Sequence, residues 1–143
     1  MKAAISWGLA VLWTCSIAFA QDISGPLSGT LGPGTFHVVN NISVPVGDSL
    51  VVQPGTTLLF DGGFAFAIYG YLHAAGTEQD SIQFLKTYFY IPWKGLVFYS
   101  FASDSSIVEY CLISGSDCQG MEINAACPTI RHCTFSTNMA GIG

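Results

Sequence analysis

The chain has 143 residues, enough for one domain, and half of them are hydrophobic, while only 9% are charged, against about 25% in a typical soluble domain. This composition, with abundant aromatic and β-branched residues, excludes a disordered chain and favours an all-β fold. Four basic against nine acidic residues give a net charge of −5, which excludes a basic surface for nucleic acid.

Residues 1–20 have the pattern of a signal peptide. Lys2 supplies positive charge near the start, residues 5–17 are mainly apolar, and Ala18-Phe19-Ala20 is a small-x-small cleavage pattern. The apolar run is short for an uncleaved anchor, which needs about 20 residues to span a bilayer. We therefore expect a mature chain that begins at Gln21, is secreted or displayed at the cell surface, and has no transmembrane span.

Residues 21–43 are expected to form an N-terminal lead-in and cap. Glycine, serine and proline are frequent between Gln21 and Pro33, which predicts an exposed lead-in. Short strands are predicted at 35–39 and 42–44. The triplet Asn41-Ile42-Ser43 matches the acceptor for N-linked glycosylation, a pattern that is frequent by chance and needs a competent host.

Residues 44–143 contain an internal repeat. One series of glycines recurs at intervals of roughly 21–25 residues, at Gly47, Gly70, Gly95, Gly120 and Gly141. A second, apolar series recurs at intervals of roughly 22–24 residues, at Phe60, Phe84, Val108 and Ile130. Self-similarity at this period predicts a solenoid, a stack of repeats of about 22–25 residues in which each repeat buries its apolar face against its neighbours.

Short apolar runs between turn residues predict the strands of these repeats. The predicted strands are 50–52, 57–60, 66–68, 72–74, 82–85, 96–99, 107–113, 121–124 and 130–135. Residues 86–92 do not fit the repeat and are predicted to form an inserted loop.

Residues 108–114 align with residues 130–136, one period further along the chain. If each repeat is one turn of the solenoid, like positions stack about 4.8 Å apart, as in any sheet. The predicted stacked pairs are Val108 with Ile130, Glu109 with Arg131, Cys111 with Cys133, and Ile113 with Phe135. The aliphatic and phenylalanine members of these pairs are expected to be buried.

Several segments resemble the N-terminal coils of secreted bacterial right-handed parallel β-helix proteins, the pectin-lyase-like superfamily. The matching segments are 44–50, 53–56, 69–77, 81–84, 93–96 (Trp-Lys-Gly-Leu), 109–113 and 128–133 (Pro-Thr-Ile-Arg-His-Cys). The resemblance implies three parallel sheets wound into a right-handed β-helix. The chain ends as another Gly-opened strand begins, without a polar cap, so we expect 44–143 to be the truncated start of a longer β-helix.

The resemblance also suggests where an enzyme would carry its chemistry. Lyases of this superfamily have calcium-binding carboxylates and a base on one outer sheet; the candidates are Asp104, Glu109, Asp117 and Glu122, with Lys94 and Arg131 as bases. No three of the carboxylates recur at one stacked position, as a calcium shell would need. Glu109 and Arg131 are more simply a cross-strand ion pair. The histidines His37, His73 and His132 follow no metal-ligand spacing, so neither metal nor cofactor is expected.

Four cysteines remain after removal of Cys15 with the leader: Cys111, Cys118, Cys127 and Cys133. Stacking would place Cys111 and Cys133 within disulfide distance, and an exported protein can oxidise them. Buried cysteines in such a stack also serve as small hydrophobic residues. Both interpretations stay open.

Aromatic residues cluster in and beside the predicted loop: Tyr88, Phe89, Tyr90 and Trp93. Tyr88, Tyr90 and Trp93 are candidates for stacking on sugar rings. The alternative, which we favour, is that Trp93 caps a coil and the other rings pack over its edge.

Scattered charges favour a non-enzymatic scaffold over an enzyme. We expect a secreted or cell-surface β-helix that binds carbohydrate or adheres to a surface, with a polysaccharide or cell-surface partner. The alternative is the N-terminal part of a polysaccharide lyase or glycoside hydrolase of the same fold.

Overall fold

The computed structural model describes residues 20–143. The predicted signal peptide, apart from Ala20, lies outside the described residues. Within them the chain forms fifteen β-strands and no helix. Accordingly, the described residues include no helix with the length and apolar character needed to cross a membrane.

The strands are short, apart from the third. In chain order they are β1 (Gln21–Pro26), β2 (Gly29–Leu31), β3 (Gly34–Val44), β4 (Ser49–Val52), β5 (Thr56–Phe60), β6 (Phe66–Ile68), β7 (Tyr71–Ala75), β8 (Ile82–Lys86), β9 (Leu96–Phe98), β10 (Ile107–Glu109), β11 (Cys111–Ser114), β12 (Gln119–Ile123), β13 (Thr129–Arg131), β14 (Thr134–Ser136) and β15 (Ala140–Ile142).

The strands pair in parallel, and they recur in groups of three that we call repeats. Strands β4, β5 and β6 form one repeat, followed by β7 to β9, β10 to β12 and β13 to β15; β2 and β3 precede them. Each strand pairs with its counterpart in the next repeat, as β4 does with β7 and β7 with β10. The predicted all-β fold with parallel strands is therefore confirmed.

The strands form two hydrogen-bonded sheets where three were predicted. One sheet has five strands, in the order β13-β10-β7-β4-β2, and the other has ten. The ten-stranded sheet is continuous because β3 runs unbroken, pairing with β5 through Gly34–Val38 and with β6 through Ile42–Val44. Two of the three expected sheets are therefore joined into one, because the series that begins with β5 and the series that begins with β6 both pair with β3.

The register agrees with the stacking predicted from the sequence. Leu50 pairs with Leu72, while Val108, Glu109 and Ile113 pair with their predicted counterparts in the next repeat. Leu112 pairs with Thr134, so the preceding residues Cys111 and Cys133 lie at equivalent positions. The repeat period read from the sequence therefore sets the register of the described strands.

Strand positions differ from the predictions mainly at corners. The predicted strands 107–113 and 130–135 are each divided in two, because Tyr110 and His132 have φ values of 47° and 51° and turn the chain from one sheet to the other. The expected lead-in is largely exposed, but it contains β1 and β2, which pair with β3 and β4.

The core is a continuous stack of inward-facing apolar side chains. Strand β5 alternates buried and half-buried residues, as expected for one face turned inward. Val108 and Ile113 are fully buried as predicted, whereas Ile130 and Phe135 are only partly buried. The last two belong to the final described repeat, which has a neighbouring repeat on one side only.

Val108 and Ile130 provide a matched test of this core. We expect Val108→Asp to prevent folding of the 143-residue chain, because an unpaired charge would lie in the fully buried stack. Ile130→Asp should lower the melting temperature much less, since this side chain retains contact with water. Thermal melting of the two variants, followed by circular dichroism, measures both effects. Equal effects would contradict the finding that Ile130 is less buried than Val108.

Candidate functional site

The main cluster of exposed aromatic side chains lies on the loop between β8 and β9. We call residues 87–92 the aromatic loop. Tyr88, Phe89 and Tyr90 are 53%, 78% and 89% exposed, so all three rings present most of their surface to water. The expectation that they pack over the edge of the fold is therefore wrong. Contiguous exposed apolar surface of this kind is typical of a binding site.

Local contacts hold the aromatic loop in shape. Lys86 donates from Nζ to the Phe89 carbonyl oxygen at 2.8 Å, and the same ammonium lies 5.0 Å from the centroid of the Phe89 ring. The Phe89 and Tyr90 rings meet edge to face, with centroids 5.0 Å apart. Ile91 donates its backbone N–H to the Tyr88 carbonyl at 3.2 Å, which closes a turn. The exposed rings are therefore preorganised.

The base of the loop is bonded to earlier strands. Thr87 donates its backbone N–H to the carbonyl of Phe60 at 3.0 Å, and its hydroxyl donates to the Asp61 carboxylate. Asp61 also accepts a hydrogen bond from Nδ1 of His37 at 2.7 Å. The two contacts of the Asp61 carboxylate were not predicted, because His37, Asp61 and Thr87 are far apart in sequence and follow no common motif. They meet because β3, β5 and β8 are neighbours.

Trp93 does not belong to the exposed cluster, and its burial favours the alternative in which it closes a coil over a role in sugar stacking. Its side chain is fully buried, stacked on Phe60 at a centroid distance of 4.1 Å and on Phe84 at 6.5 Å. Burial is possible because the indole N–H donates to the carbonyl of Ser114 at 2.8 Å. Trp93 thus anchors the end of the loop inside the core.

The charged residues considered for catalysis lie in separate local contacts. Lys94 and Asp117 form an ion pair with an N–O distance of 2.5 Å, and hydrogen bonding to this carboxylate raises the pKa of Lys94. Arg131 binds Glu109 at 3.1 Å, which confirms the predicted pair. Both pairs join adjacent repeats, so they bond the stack together.

Asp104 and Glu122 also have local partners. The Asp104 carboxylate accepts the backbone N–H of Cys127 at 2.9 Å, and Glu122 accepts from the Asn124 side chain at 3.1 Å. Across residues 20–143, no group of three or more histidine, cysteine or acidic residues is arranged to hold a metal ion. The structure therefore brings the candidates together only as two separate ion pairs and not as one cluster.

The other two histidines contact tyrosines. His73 shares a hydrogen bond of 3.0 Å with the Tyr71 hydroxyl. His132 stacks on Tyr110, with ring centroids 4.6 Å apart and planes 10° apart. These two rings come from equivalent corners of adjacent repeats. Equivalent side chains therefore stack on the outside of the fold as they do in the core.

Cys111 and Cys133 lie at equivalent positions of adjacent repeats as free thiols. Cys111 donates from Sγ to the carbonyl oxygen of Ala74 at 3.4 Å, and Cys133 donates from Sγ to that of Arg131 at 3.2 Å. Interaction with the neighbouring Cys111 thiol lowers the pKa of Cys133 to about 7. The same interaction, together with burial, raises the pKa of Cys111. Cys118 and Cys127 are exposed. The disulfide between Cys111 and Cys133 stays a prediction, and the geometry also allows a thiol pair.

Comparison with known proteins gives one partial similarity. Over 51 residues, 36% of this chain, the sequence is 39% identical to the Drosophila melanogaster protein called Protein bark beetle. The matched stretch is 2% of that protein's length, so the chain spans a very small part of this relative. No family model and no solved structure matches the chain. Membership of the bacterial pectin-lyase-like superfamily stays a prediction.

Trp93 and Tyr90 should respond oppositely to truncation. We expect Trp93→Ala to lower the free energy of unfolding by about 3–5 kcal/mol, because it removes a large buried side chain. Tyr90→Ala should leave that free energy almost unchanged, since the ring is exposed. Urea denaturation followed by circular dichroism measures both. A stable Trp93→Ala protein would show that the indole is not part of the core.

The stacked Cys111 and Cys133 thiols predict an unusually reactive Cys133. In reduced protein carrying Cys118→Ser and Cys127→Ser, alkylation of Cys133 by iodoacetamide should reach half its maximal rate near pH 7, against about 8.5 for an ordinary thiol. Cys111→Ala removes the neighbouring thiol that lowers the pKa of Cys133, so the pH of half-maximal rate should move upward. Mass spectrometry of samples quenched across the pH range gives both midpoints, and identical midpoints would rule out this contact.

Proposed function

We propose that the chain is a non-enzymatic, secreted or cell-surface scaffold, built as a right-handed parallel β-helix, which binds polysaccharide through the aromatic loop. The observation that carries the proposal is the row of three largely exposed rings, Tyr88, Phe89 and Tyr90, on a loop braced by Lys86. Such a surface needs no catalytic group. It needs a rigid support, which the repeats supply.

The topology supports the β-helix. Three series of strands recur in chain order, each strand pairs in parallel with its counterpart one repeat away, and the inward side chains form one core. Parallel strands joined by crossover connections are right-handed in about 98% of cases. A right-handed helix of about 22–25 residues per turn accounts for the observed register.

The ion pairs of Lys94 and Arg131 support a structural rather than a catalytic role for the proposed β-helix. Lys94 and Arg131, the bases proposed for a lyase, each bind one carboxylate of a neighbouring repeat. A lyase of this kind would instead bring carboxylates and a base together on one face to hold calcium and remove a proton. The same side chains are therefore better explained as bonds between repeats.

The chemistry of the aromatic loop suits carbohydrate. The faces of pyranose rings carry C–H groups that pack on aromatic rings, while the hydroxyl groups of Tyr88 and Tyr90 can donate to or accept from sugar hydroxyls. Because Lys86 and the Phe89–Tyr90 contact already order the rings, binding would cost little further side-chain entropy. A preorganised tyrosine-rich surface is thus well suited to a repetitive polysaccharide.

A sedimentation assay with chitin, cellulose and pectin tests this proposal. The double variant Phe89→Ala/Tyr90→Ala should bind at least one of these polysaccharides about tenfold more weakly than the parent, a loss of about 1.4 kcal/mol. Phe101→Ala is the matched control, because Phe101 is also a largely exposed ring but lies on a different loop. Its binding should equal that of the parent.

Two outcomes would contradict the proposal. The first is that neither the parent nor the variants sediment with any of the polysaccharides. The second is catalysis, seen as calcium-dependent release of unsaturated products from pectin or alginate and measured by ultraviolet absorbance. The second result would favour the alternative that the chain is part of a polysaccharide lyase.

A further inference from the structure

A second surface feature lies away from the aromatic loop, on the outer side of β3, β6 and β9. It is a shallow groove, which we call the outer groove, lined by Asn41, Ile42, Ser43, Ala65, Ala67, Tyr69 and Tyr99. The register Ser43–Ala67–Val97 crosses it. Small side chains form its floor, while Asn41 and the two tyrosines lie at opposite ends.

Asn41 is exposed and held in one orientation. Its Oδ1 accepts the backbone N–H of Ala65 at 2.9 Å, and the next residue, Ile42, donates its own N–H to the Ala65 carbonyl at 3.1 Å. Within the described residues no hydrogen bond uses Nδ2 of Asn41. The anchored amide therefore keeps its nitrogen available on the outer surface.

Ser43 lies two residues after Asn41 on the same outward face, because successive side chains of a strand alternate. The pair therefore presents both parts of the N-linked acceptor triplet, the amide and the hydroxyl, at the surface of a folded strand. The neighbouring Asn40 is exposed as well, but it has no serine or threonine two residues later. Only one of the two adjacent asparagines therefore matches the acceptor triplet.

The far end of the outer groove is an aromatic pair. Tyr69 and Tyr99 stack with ring centroids 4.6 Å apart and planes 13° apart. Their backbone N–H groups donate to Val44 and Ile68, which fixes the rings at equivalent positions of adjacent repeats. From Asn41 to this end the groove extends for about 13 Å, roughly four residues of strand. The first sugars of a glycan can bridge that distance.

We propose that Asn41 carries an N-linked glycan and that its first sugars lie in the outer groove against Tyr69 and Tyr99. Nδ2 of Asn41 would form a bond to C1 of the first sugar of a lipid pyrophosphate-linked oligosaccharide. The bond from C1 to the pyrophosphate oxygen breaks, the lipid pyrophosphate leaves with the electron pair, and Nδ2 loses a proton. The inference rests on the proposed export of the chain, and specifically on export from a eukaryotic cell, because this transfer takes place in the secretory pathway.

Expression in cultured insect cells tests the modification. One version of the chain keeps residues 1–20, and a second has a known secretory leader in their place. We expect the secreted protein to lose the mass of one glycan on treatment with peptide N-glycosidase, and Asn41 to become Asp. Asn41→Gln and Ser43→Ala should lack the glycan, whereas Ser43→Thr and Asn40→Gln should keep it.

The two leaders separate this inference from the proposed export. If only the second version is secreted and it carries the glycan, the export signal is wrong while the site stands. If secreted protein has unmodified Asn41, or if Ser43→Ala keeps a glycan there, the site is overturned. Ser43→Ala leaves the Asn41 to Ala65 hydrogen bond in place, so it removes the glycan without removing that contact.

Thermal melting tests whether the sugars lie in the groove. Loss of the glycan through Ser43→Ala should lower the melting temperature of the parent. The same substitution in Tyr99→Ala protein should lower it by several degrees less, because the sugars there have lost their contact with the Tyr99 ring. Native Tyr99→Ala protein should also release its glycan to the glycosidase faster than the parent. If Tyr99→Ala does not fold, Ala67→Arg fills the floor of the groove and should have the same two effects. Equal differences and equal release rates would show that the glycan points into solvent.

Discussion

The structure depends on one constraint: each parallel strand must hydrogen-bond to its counterpart one repeat away. Neighbouring strands lie about 4.8 Å apart, so each inward side chain rests on the inward side chain of the next repeat, as Leu50 does on Leu72. A slip of one residue would turn an entire apolar face to water. The same constraint brings backbones close at corners; a Cβ atom on Gly70 would lie 2.2 Å from the Pro45 carbonyl oxygen.

Stacking explains how much of the fold the sequence predicts. Equivalent positions must match in size and polarity, so the spacing of Val108 and Ile130 reveals the register without any knowledge of the fold. The corners are harder to predict, because Tyr110 and His132 have positive φ values that bulky residues rarely adopt. Both residues occur inside runs that look like continuous strands. Their stacked rings, 4.6 Å apart, form only when the repeats are assembled.

The candidate site was only partly predictable for a related reason. Tyr88 to Tyr90 and Trp93 are almost contiguous, so the sequence alone allows two interpretations, one shared aromatic surface or a Trp93 that caps a coil with the other rings packed over its edge. Trp93 belongs to the segment Trp93-Lys94-Gly95-Leu96, which matches the repeat and which the fold draws inside. The contact of Lys86 with Phe89 could not be predicted either. It requires Gly115 of the next repeat, where a Cβ atom would lie 2.7 Å from Cγ of Lys86.

These contacts make the loop an extension of the stack. At one end Thr87 is bonded to Phe60 and Asp61, and at the other the Trp93 indole packs on Phe60 and donates to Ser114. The loop is therefore attached to the repeat before it and to the repeat after it. A loop held at both ends loses little conformational freedom when its rings bind a ligand. The contacts that hold the loop come from the same hydrogen-bonded stacking that forms the core, so in this fold the exposed aromatic surface and the stack of repeats have a common physical origin.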